Sequence, residues 1–595
     1  MTGDARRDGS PDRIGMQEGL LYVLLPVVIA VVTGGKLLAG VIAGGLVNPD
    51  SYTRLVRLGE ALRQHSPAYV VTNDAYGAGT VIAWSHLLDS LLCLLAAPFE
   101  LVMDRASALH AAAAMIGPLS MGALGLAIAW AAAPLAERRW LWLAPAAAAL
   151  STPIVSYGMP GEAHHHVLLV LIAVMTGGYA LRATLGLAAA SAGLAMGAWG
   201  GVGIWLSPET MPFSLMAFGG VWLAWLLAPE RRDIGPVMRA IGLGFLLVVA
   251  ASFAVDPPFA GYAAVEIDRL SVVYLVLAVA VCAAAGVSLI VERCQLRPVA
   301  RTAMMVAAAV LGLGIWIGLF PAVALGPSGL LTTHEAQAFF GEISEMLPVN
   351  GAATAIDFLL PGAMAAIAVT WFSLSRRSVL LGYAALCAFA LLTIGALHVR
   401  FAAYSCAAAA VMLPILITRC TAILADWSET TRGCARVALM ALFMLVPRMD
   451  AVPGVFSPAT AATEQASPSC AVTGLAGMLE NYAGQVVLAN PNDSPELLYR
   501  TRIRTVGSLY HSNIGAFMRL RAAWRSLPAD TVPDAVRATG ASLVLFCHSA
   551  ARSLLVADLP RETLLDRLNR DAVPPWLHKI ATDPQSGNVL FEVQR

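Results

Sequence analysis

A ladder of long apolar segments separated by loops, with arginines on every second loop, constrains this 595-residue chain more than any other feature. A bilayer core needs roughly 20 apolar residues in helical form, and only helices and closed barrels satisfy all their backbone groups in hydrocarbon. The segments fall at 20–47, 110–135, 140–158, 165–182, 184–206, 211–229, 236–255, 270–291, 302–324, 353–374, 378–397, 401–418 and 435–447, about thirteen spans. The first is too long for a signal-peptide apolar region and lacks a clear cleavage site, so it reads as a retained span. Composition agrees, with 58% hydrophobic and 13% charged residues, where soluble domains carry about 25% charged. Lys+Arg 38 against Asp+Glu 38 leaves no basic surplus for nucleic acid. A soluble enzyme, a disordered chain and a nucleic-acid binder are excluded. A polytopic α-helical membrane protein remains, and its nine cysteines form no CxxC pair.

Orientation follows from the arginines. They occupy the loops holding Arg6, Arg7 and Arg13; Arg138 and Arg139; Arg182; Arg231 and Arg232; Arg293, Arg297 and Arg301; Arg376 and Arg377; and Arg419, Arg432 and Arg436. All these loops share the side of the N-terminus, which the positive-inside rule makes cytoplasmic. An odd span count then puts the C-terminus outside. The expectation is a multi-pass protein of the cell (inner) membrane, with a transmembrane domain over 1–447 and a periplasmic α/β domain over 448–595. After residue 447 charges are denser, and turn formers cluster at Val452-Pro453-Gly454 and Asn490-Pro491-Asn492-Asp493. The runs 485–489 and 541–546 read as buried strands, and 513–526 and 561–571 as amphipathic helices. Cys470 and Cys547 form a disulfide there, or stay as two unpaired thiols; the sequence permits both.

Four outer loops carry groups that packing does not require. Asp50 follows the first span with Arg54 and Arg57 a turn on, a pattern for a cation or a phosphorylated head group, or else for a helix cap. Gly161-Glu162-Ala163-His164-His165-His166 opens the fourth span. Extended, His164 and His166 point the same way and share one metal; helical, they diverge, and the cluster is merely interfacial. Gly341-Glu342-Ile343-Ser344-Glu345 lies in an outer loop of about 28 residues, a length that favours function over mere connection, with a solvated amphipathic helix as the other reading. Arg400, in His398-Val399-Arg400-Phe401, sits at the interface, where it either snorkels or holds an anion such as a lipid phosphate. Glu209, in Ser207-Pro208-Glu209, is a subsidiary candidate or a cap of the sixth span.

In order, these loops resemble the catalytic subunit of oligosaccharyltransferases, a branch of the GT-C membrane glycosyltransferases. Asp50-Ser51-Tyr52 resembles the family's Asp-x-Tyr, whose Asp binds a divalent cation. The segment 156–166 aligns with its Gly-Tyr-Tyr-Asp-Thr-Asp region, and Ala198-Trp199-Gly200-Gly201 with its Trp-Gly-Gly. Glu342-Ile343-Ser344-Glu345 resembles the loop motif whose last Glu engages the acceptor, and Arg400-Phe401-x-x-Tyr404 the arginine motif that binds the lipid-linked diphosphate. Two departures stand out. His164-His165-His166 replaces an Asp-x-Asp, which moves the donor set from one suited to Mg²⁺ or Mn²⁺ toward one that takes Zn²⁺ and tolerates Mn²⁺, unless the site is metal-free with a histidine as base. Asn490-Pro491-Asn492-Asp493 stands where the family has the Trp-Trp-Asp-Tyr-Gly pocket that reads an Asn-x-Ser/Thr sequon. Downstream, Tyr510-His511-Ser512-Asn513 resembles a Tyr-His-x-Asn segment of other GT-C-like proteins.

The resemblance implies a membrane glycosyltransferase that moves a sugar or oligosaccharide from a polyprenyl-(di)phosphate to a glycan, lipid or protein acceptor. Asp50, Glu209 and Glu345 would be catalytic, Arg400 and Arg54 would bind the donor phosphate, and Asp50, His164 and His166 would hold a divalent metal (Mn, Mg or Zn). A true N-oligosaccharyltransferase with a divergent pocket and a lipid-linked sugar transporter are the alternatives. No internal repeat of the kind transporters show is visible.

Overall fold

The computed structural model describes residues 14–228, 233–451, 472–527, 529–547, 562–584 and 586–594. Among them, eleven helices are long and apolar enough to cross a membrane: Met16–Thr33, Arg105–Ala132, His166–Leu185, Pro208–Leu227, Ile234–Val255, Val272–Arg293, Pro298–Leu319, Ala352–Arg376, Val379–Leu397, Val399–Ile423 and Glu429–Arg448. Ala190–Leu206 is a further apolar helix of 17 residues. The expected span at 140–158 is instead two short buried helices, Leu143–Leu150 and Thr152–Val155. Pro153 has no N–H to continue the ladder, and the chain leaves helical geometry at Ser151. The first expected span also divides, at Gly34, into Met16–Thr33 and Gly35–Ile42. Arg6, Arg7, Arg13, Arg231, Arg232, Cys470 and the Val452–Gly454 turn lie outside the described residues.

Small residues set the bundle's closest contacts. Gly193, Gly197 and Gly244 let Ala190–Leu206 and Ile234–Val255 meet backbone to backbone, and a Cβ on Gly197 would lie 2.0 Å from the Ile241 carbonyl oxygen. Such approach is how helices associate where lipid is as apolar as leucine. The Trp199-Gly200-Gly201 motif belongs to this packing, with Gly200 against Phe218 and Gly201 against Val248. Two glycines also seat the segment that carries the histidines. A Cβ on Gly117 would strike the Met159 carbonyl oxygen, and one on Gly34 would strike Pro160. The segment is further tied by Gly161 N–H to Ala114 O (3.1 Å) and by Val47 N–H to Gly161 O (3.2 Å).

Strands β1 (Val70–Val71) and β2 (Thr80–Val81) pair antiparallel in the loop after the first span. The C-terminal region forms a five-stranded sheet from β3 (Val486–Leu488), β4 (Arg504–Thr505), β5 (Leu543–Phe546), β6 (Leu577–Thr582) and β7 (Val589–Val593), in the order β4-β3-β5-β7-β6. β4, β3 and β5 are parallel, whereas β7 runs antiparallel to β5 and β6. Separate apolar clusters include Leu488, Trp524, Val544 and Phe591 in one and Leu475, Val487, Leu545 and Leu590 in the other. They arise because alternate residues of each strand face opposite ways. Both expected strands are present. The two helices form as Ile514–Trp524 and, in shorter form, Leu564–Asn569. Cys547 is disulfide-bonded. This α/β unit is fastened to loops of the helical part by Thr505 Oγ1 to Asp74 (2.8 Å), His511 Nε2 to Asp268 (2.6 Å) and Arg521 to Glu342 (2.6 Å).

Candidate active site

The helix Pro49–Gln64 opens the site. Asn48, not Asp50, caps it: its Oδ1 accepts Ser51 N–H at 2.8 Å. Asp50 is thereby released from capping and turns outward from the first turn. Its Oδ2 lies 2.8 Å from His164 Nε2, and its Oδ1 accepts the Tyr510 hydroxyl at 2.8 Å. Tyr510 also lies 2.8 Å from Thr53 Oγ1 and packs edge-on against Trp84. The C-terminal unit thus contributes a side chain to the carboxylate that follows the first span.

The histidine segment is held to the same helix start, with Ala163 N–H on Ser51 Oγ at 2.8 Å and Glu162 bonded by the Asn48 amide. It is neither a plain strand nor a continuous helix. His165 is the N-cap residue of His166–Leu185, so the chain turns there and all three imidazoles converge. One ring nitrogen from each lies within 4.8 Å of the others, and the residues are 6–7% exposed. His165, passed over in the sequence because its neighbours alone share a strand face, is therefore part of the cluster. His164 Nδ1 and His166 Nε2 are buried and make no hydrogen bond.

Glu209 and Glu345 approach from two tight turns, Pro208–Thr210 and Ser344–Met346. Glu209 Oε1 lies 3.7 Å from His166 Nδ1 and Glu345 Oε2 lies 3.6 Å from His166 Nε2. Glu345 Oε2 also accepts the Tyr157 hydroxyl at 2.8 Å. Arg400, in the turn Val399–Phe401, ion-pairs with Glu209 and lies 3.5 Å from Glu345 Oε1. It is anchored by carboxylates instead of snorkelling, and its Nε is buried with no hydrogen-bond partner. Asp50, His164, His166, Glu209, Glu345 and Arg400 accordingly meet at one place.

Arg54 stands apart from Arg400. It is 2% exposed, pairs with Asp89 at 3.0 Å and stacks over Trp84. Its remaining Nη2 is 3.4 Å from His165 Nδ1, which makes it a support for that ring. The Asn490–Asp493 segment forms a turn bonded to itself, Asn492 N–H to Asn490 Oδ1 at 3.0 Å, at the start of helix Ser494–Arg500. Tyr157 and Tyr510 complete the list of residues the sequence did not single out. Both lie in segments that it did.

Burial pushes the Glu162 carboxyl up, and the Asp50 charge adds to this, to about 8. Glu162 is therefore protonated at neutral pH. Burial also opposes ionisation of Asp50 and Glu345, but their partners prevail. His164 and Tyr510 hold Asp50 below the usual range, and His166 with Arg400 holds Glu345 well below it. Burial, reinforced by the adjacent histidines and Arg54, pushes His165 well below the ordinary imidazole value, so it stays neutral and able to donate a lone pair. Burial and the Asp50 charge push Tyr510 well above the phenol value, which keeps it a hydrogen-bond donor.

Solved structures share this architecture. The oligosaccharyltransferase of Archaeoglobus fulgidus in the apo form superposes with a TM-score of 0.68 at 13% identity, over 90% of this chain and 70% of that one. The same enzyme tethered to an acceptor peptide containing the NVT sequon gives 0.63 at 14% identity, over 98% and 74%. Its complex with Zn and sulfate gives 0.59 at 15% identity, over 92% and 69%. No protein-family model matches the sequence, and no curated protein matches it. The fold is GT-C-like, that of oligosaccharyltransferase catalytic subunits.

Proposed function

We propose that this chain is a membrane glycosyltransferase that moves a sugar or oligosaccharide from a polyprenyl-(di)phosphate donor to an acceptor on the external face. The observation that carries the reading is the convergence of Arg400, Glu209, Glu345 and three buried imidazoles beside Tyr510 of the C-terminal unit. It is joined by the GT-C-like fold, and the arginine-rich loops of the sequence support an external placement of this face. In this reading 1–447 forms the membrane domain and 448–595 the periplasmic one.

The acceptor's oxygen or nitrogen attacks the anomeric carbon while the bond from that carbon to the donor phosphate breaks, and the phosphate leaves with the bonding pair. Arg400 meets the departing charge, using the Nε hydrogen that no protein group accepts. Glu209 holds the guanidinium in place. Glu345, ionised and steadied by Tyr157, orients the acceptor, whose proton passes to the departing phosphate or to solvent. Asp50 keeps His164 in register. Arg54, paired with Asp89, acts on His165 in place of the phosphate. The buried, unpartnered His164 Nδ1 and the convergence of the three rings suit a divalent cation, which His164 and His166 would hold and which would stabilise charge on phosphate oxygens.

The Asn490–Asp493 turn in place of the sequon pocket favours an acceptor other than an Asn-x-Ser/Thr peptide, so a glycan, a lipid or a different protein site. Purified chain in liposomes, supplied with extracted polyprenyl-linked sugars and membrane-extracted acceptors, is expected to consume the donor and release polyprenyl phosphate. Full activity in a folded Arg400→Ala variant would refute the assignment. Efficient labelling of an Asn-x-Thr peptide would restore the sequon acceptor.

A further inference from the structure

We infer that His398 is a positioning residue of the site: its imidazole fastens the loop that carries Glu345 to the turn that carries Arg400. The inference rests on the transferase reading above and deepens it.

Glu345 lies in the loop between the helices Pro298–Leu319 and Ala352–Arg376. Its turn is shaped by local bonds, Met346 N–H to Ile343 O (2.9 Å) and Leu347 N–H to Ser344 O (3.2 Å). Such bonds fix the form of a turn and not its place relative to another element. Upstream, Arg521 ties Glu342 to the C-terminal unit (2.6 Å). Downstream, three bonds cross to the connection between Val379–Leu397 and Ala402–Ile423. Val399 N–H donates to Leu347 O at 3.1 Å, and Val349 N–H donates to Ala396 O at 2.9 Å. His398 Nδ1 lies 2.7 Å from Met346 O. The two backbone bonds pair the segments antiparallel. The third is made by a side chain, and it holds the carbonyl of the residue that follows Glu345.

A carbonyl oxygen has no hydrogen to give, so His398 Nδ1 carries the hydrogen and donates it. The ring is not needed to end the helix. The backbone N–H of His398 closes Val379–Leu397 on Ile394 O (2.9 Å), which any residue but proline can do. The imidazole reaches instead to a segment 52 residues away. On the same turn, Arg400 Nη1 lies 3.5 Å from Met346 Sδ and 3.5 Å from Glu345 Oε1. Tyr157 holds the tip of the Glu345 carboxylate (2.8 Å), whereas His398 holds the backbone beside it. The group that meets the leaving phosphate and the group that orients the acceptor are thus set on one fastened pair of segments. Reacting groups need placement to within roughly 0.5 Å, and an error of about 1 Å costs about 100-fold in rate.

Three variants differ in where a donor sits. In His398→Asn the amide nitrogen takes the place of Nδ1, in His398→Gln it lies one bond farther out, and His398→Leu has none. Turnover is measured against donor concentration in liposomes holding purified chain, extracted polyprenyl-linked sugars and membrane-extracted acceptors. Hydrogen exchange of peptides 341–351 and 394–402 is followed in detergent, with the helix His166–Leu185 as internal reference. We expect His398→Leu and His398→Gln to lower kcat by about 10- to 100-fold, with the donor KM within about threefold of wild type. Both should speed exchange in the two peptides and leave the reference helix unchanged. His398→Asn should resemble wild type in turnover and exchange. A folded His398→Leu chain with wild-type kcat would overturn the inference, as would lost activity with unchanged exchange. So would His398→Asn failing as badly as His398→Leu. The expected exchange pattern in a chain that transfers no sugar would instead sink the functional reading and leave the fastening of loop to turn standing.

Discussion

Tyr510→Phe removes one oxygen and leaves the ring in place against Trp84 (centroids 5.4 Å apart). What disappears is the 2.8 Å hydrogen bond to Asp50 Oδ1 and the contact with Thr53. A hydrogen bond to a charged group contributes about 1.5–3 kcal/mol, and its loss leaves a carboxylate oxygen without its donor. If Tyr510 fixes Asp50 for catalysis, that loss appears in the barrier, at about tenfold per 1.4 kcal/mol. The expected drop in kcat/KM is therefore about 10- to 150-fold. The assay is release of polyprenyl phosphate from labelled donor in liposomes, with thermal unfolding as a check on folding. Tyr510 acts through Asp50, so Asp50→Asn and the double variant form the decisive cycle. The double variant should be little worse than Asp50→Asn alone. Activity within twofold of wild type in Tyr510→Phe, or strictly additive losses in the double variant, would refute the coupling of the C-terminal unit to the site.

Arg400→Lys keeps a positive charge but loses the planar fork and the free Nε hydrogen, so kcat/KM should fall by about 100-fold or more, measured in the same assay. Asp256, 4% exposed, accepts hydrogen bonds from His86 N–H (2.8 Å), Trp205 (2.9 Å) and Arg269 (2.5 Å). Burial alone would raise its pKa, but His86 and Arg269 outweigh it and hold it at about 2, against an ordinary 3.8. The ionised group therefore stabilises the fold fully above about pH 4 and loses that contribution, about 2 kcal/mol, as pH falls toward 2. Thermal midpoints in detergent should drop over that window in wild type and stay flatter in Asp256→Asn. Gly197→Leu would drive a side chain into the Ile241 backbone, and it should destabilise the bundle by at least about 1–3 kcal/mol, seen as a lower thermal midpoint with the site residues untouched.

The spans were legible because hydrocarbon demands long apolar runs. The break at Ser151 was not, since Pro153 does not by itself say whether a helix bends or stops. Asp50, Glu345 and Arg400 were readable because charge at the edge of a span requires a reason. His165 was missed because the periodicity argument assumed one regular conformation through the triplet. The turn into the helix His166–Leu185 brings all three rings together where neither a strand nor a helix would. Tyr510 lies some 460 residues from Asp50 along the chain, and no local pattern encodes a contact made by docking one unit on another. Arg54 looked like Arg400 in the sequence, but Asp89, on a different helix, determines that it faces inward.

The most direct test of the central claim is the fate of the bond between sugar and phosphate. Liposomes holding purified chain receive a polyprenyl-linked donor labelled in the sugar. The account predicts that label moves from the lipid to an acceptor, with release of the polyprenyl phosphate, and that Arg400→Ala abolishes both. Label that crosses the bilayer still attached to its lipid, or a donor left intact by a folded chain supplied with Zn²⁺ and membrane-extracted acceptors, would contradict it.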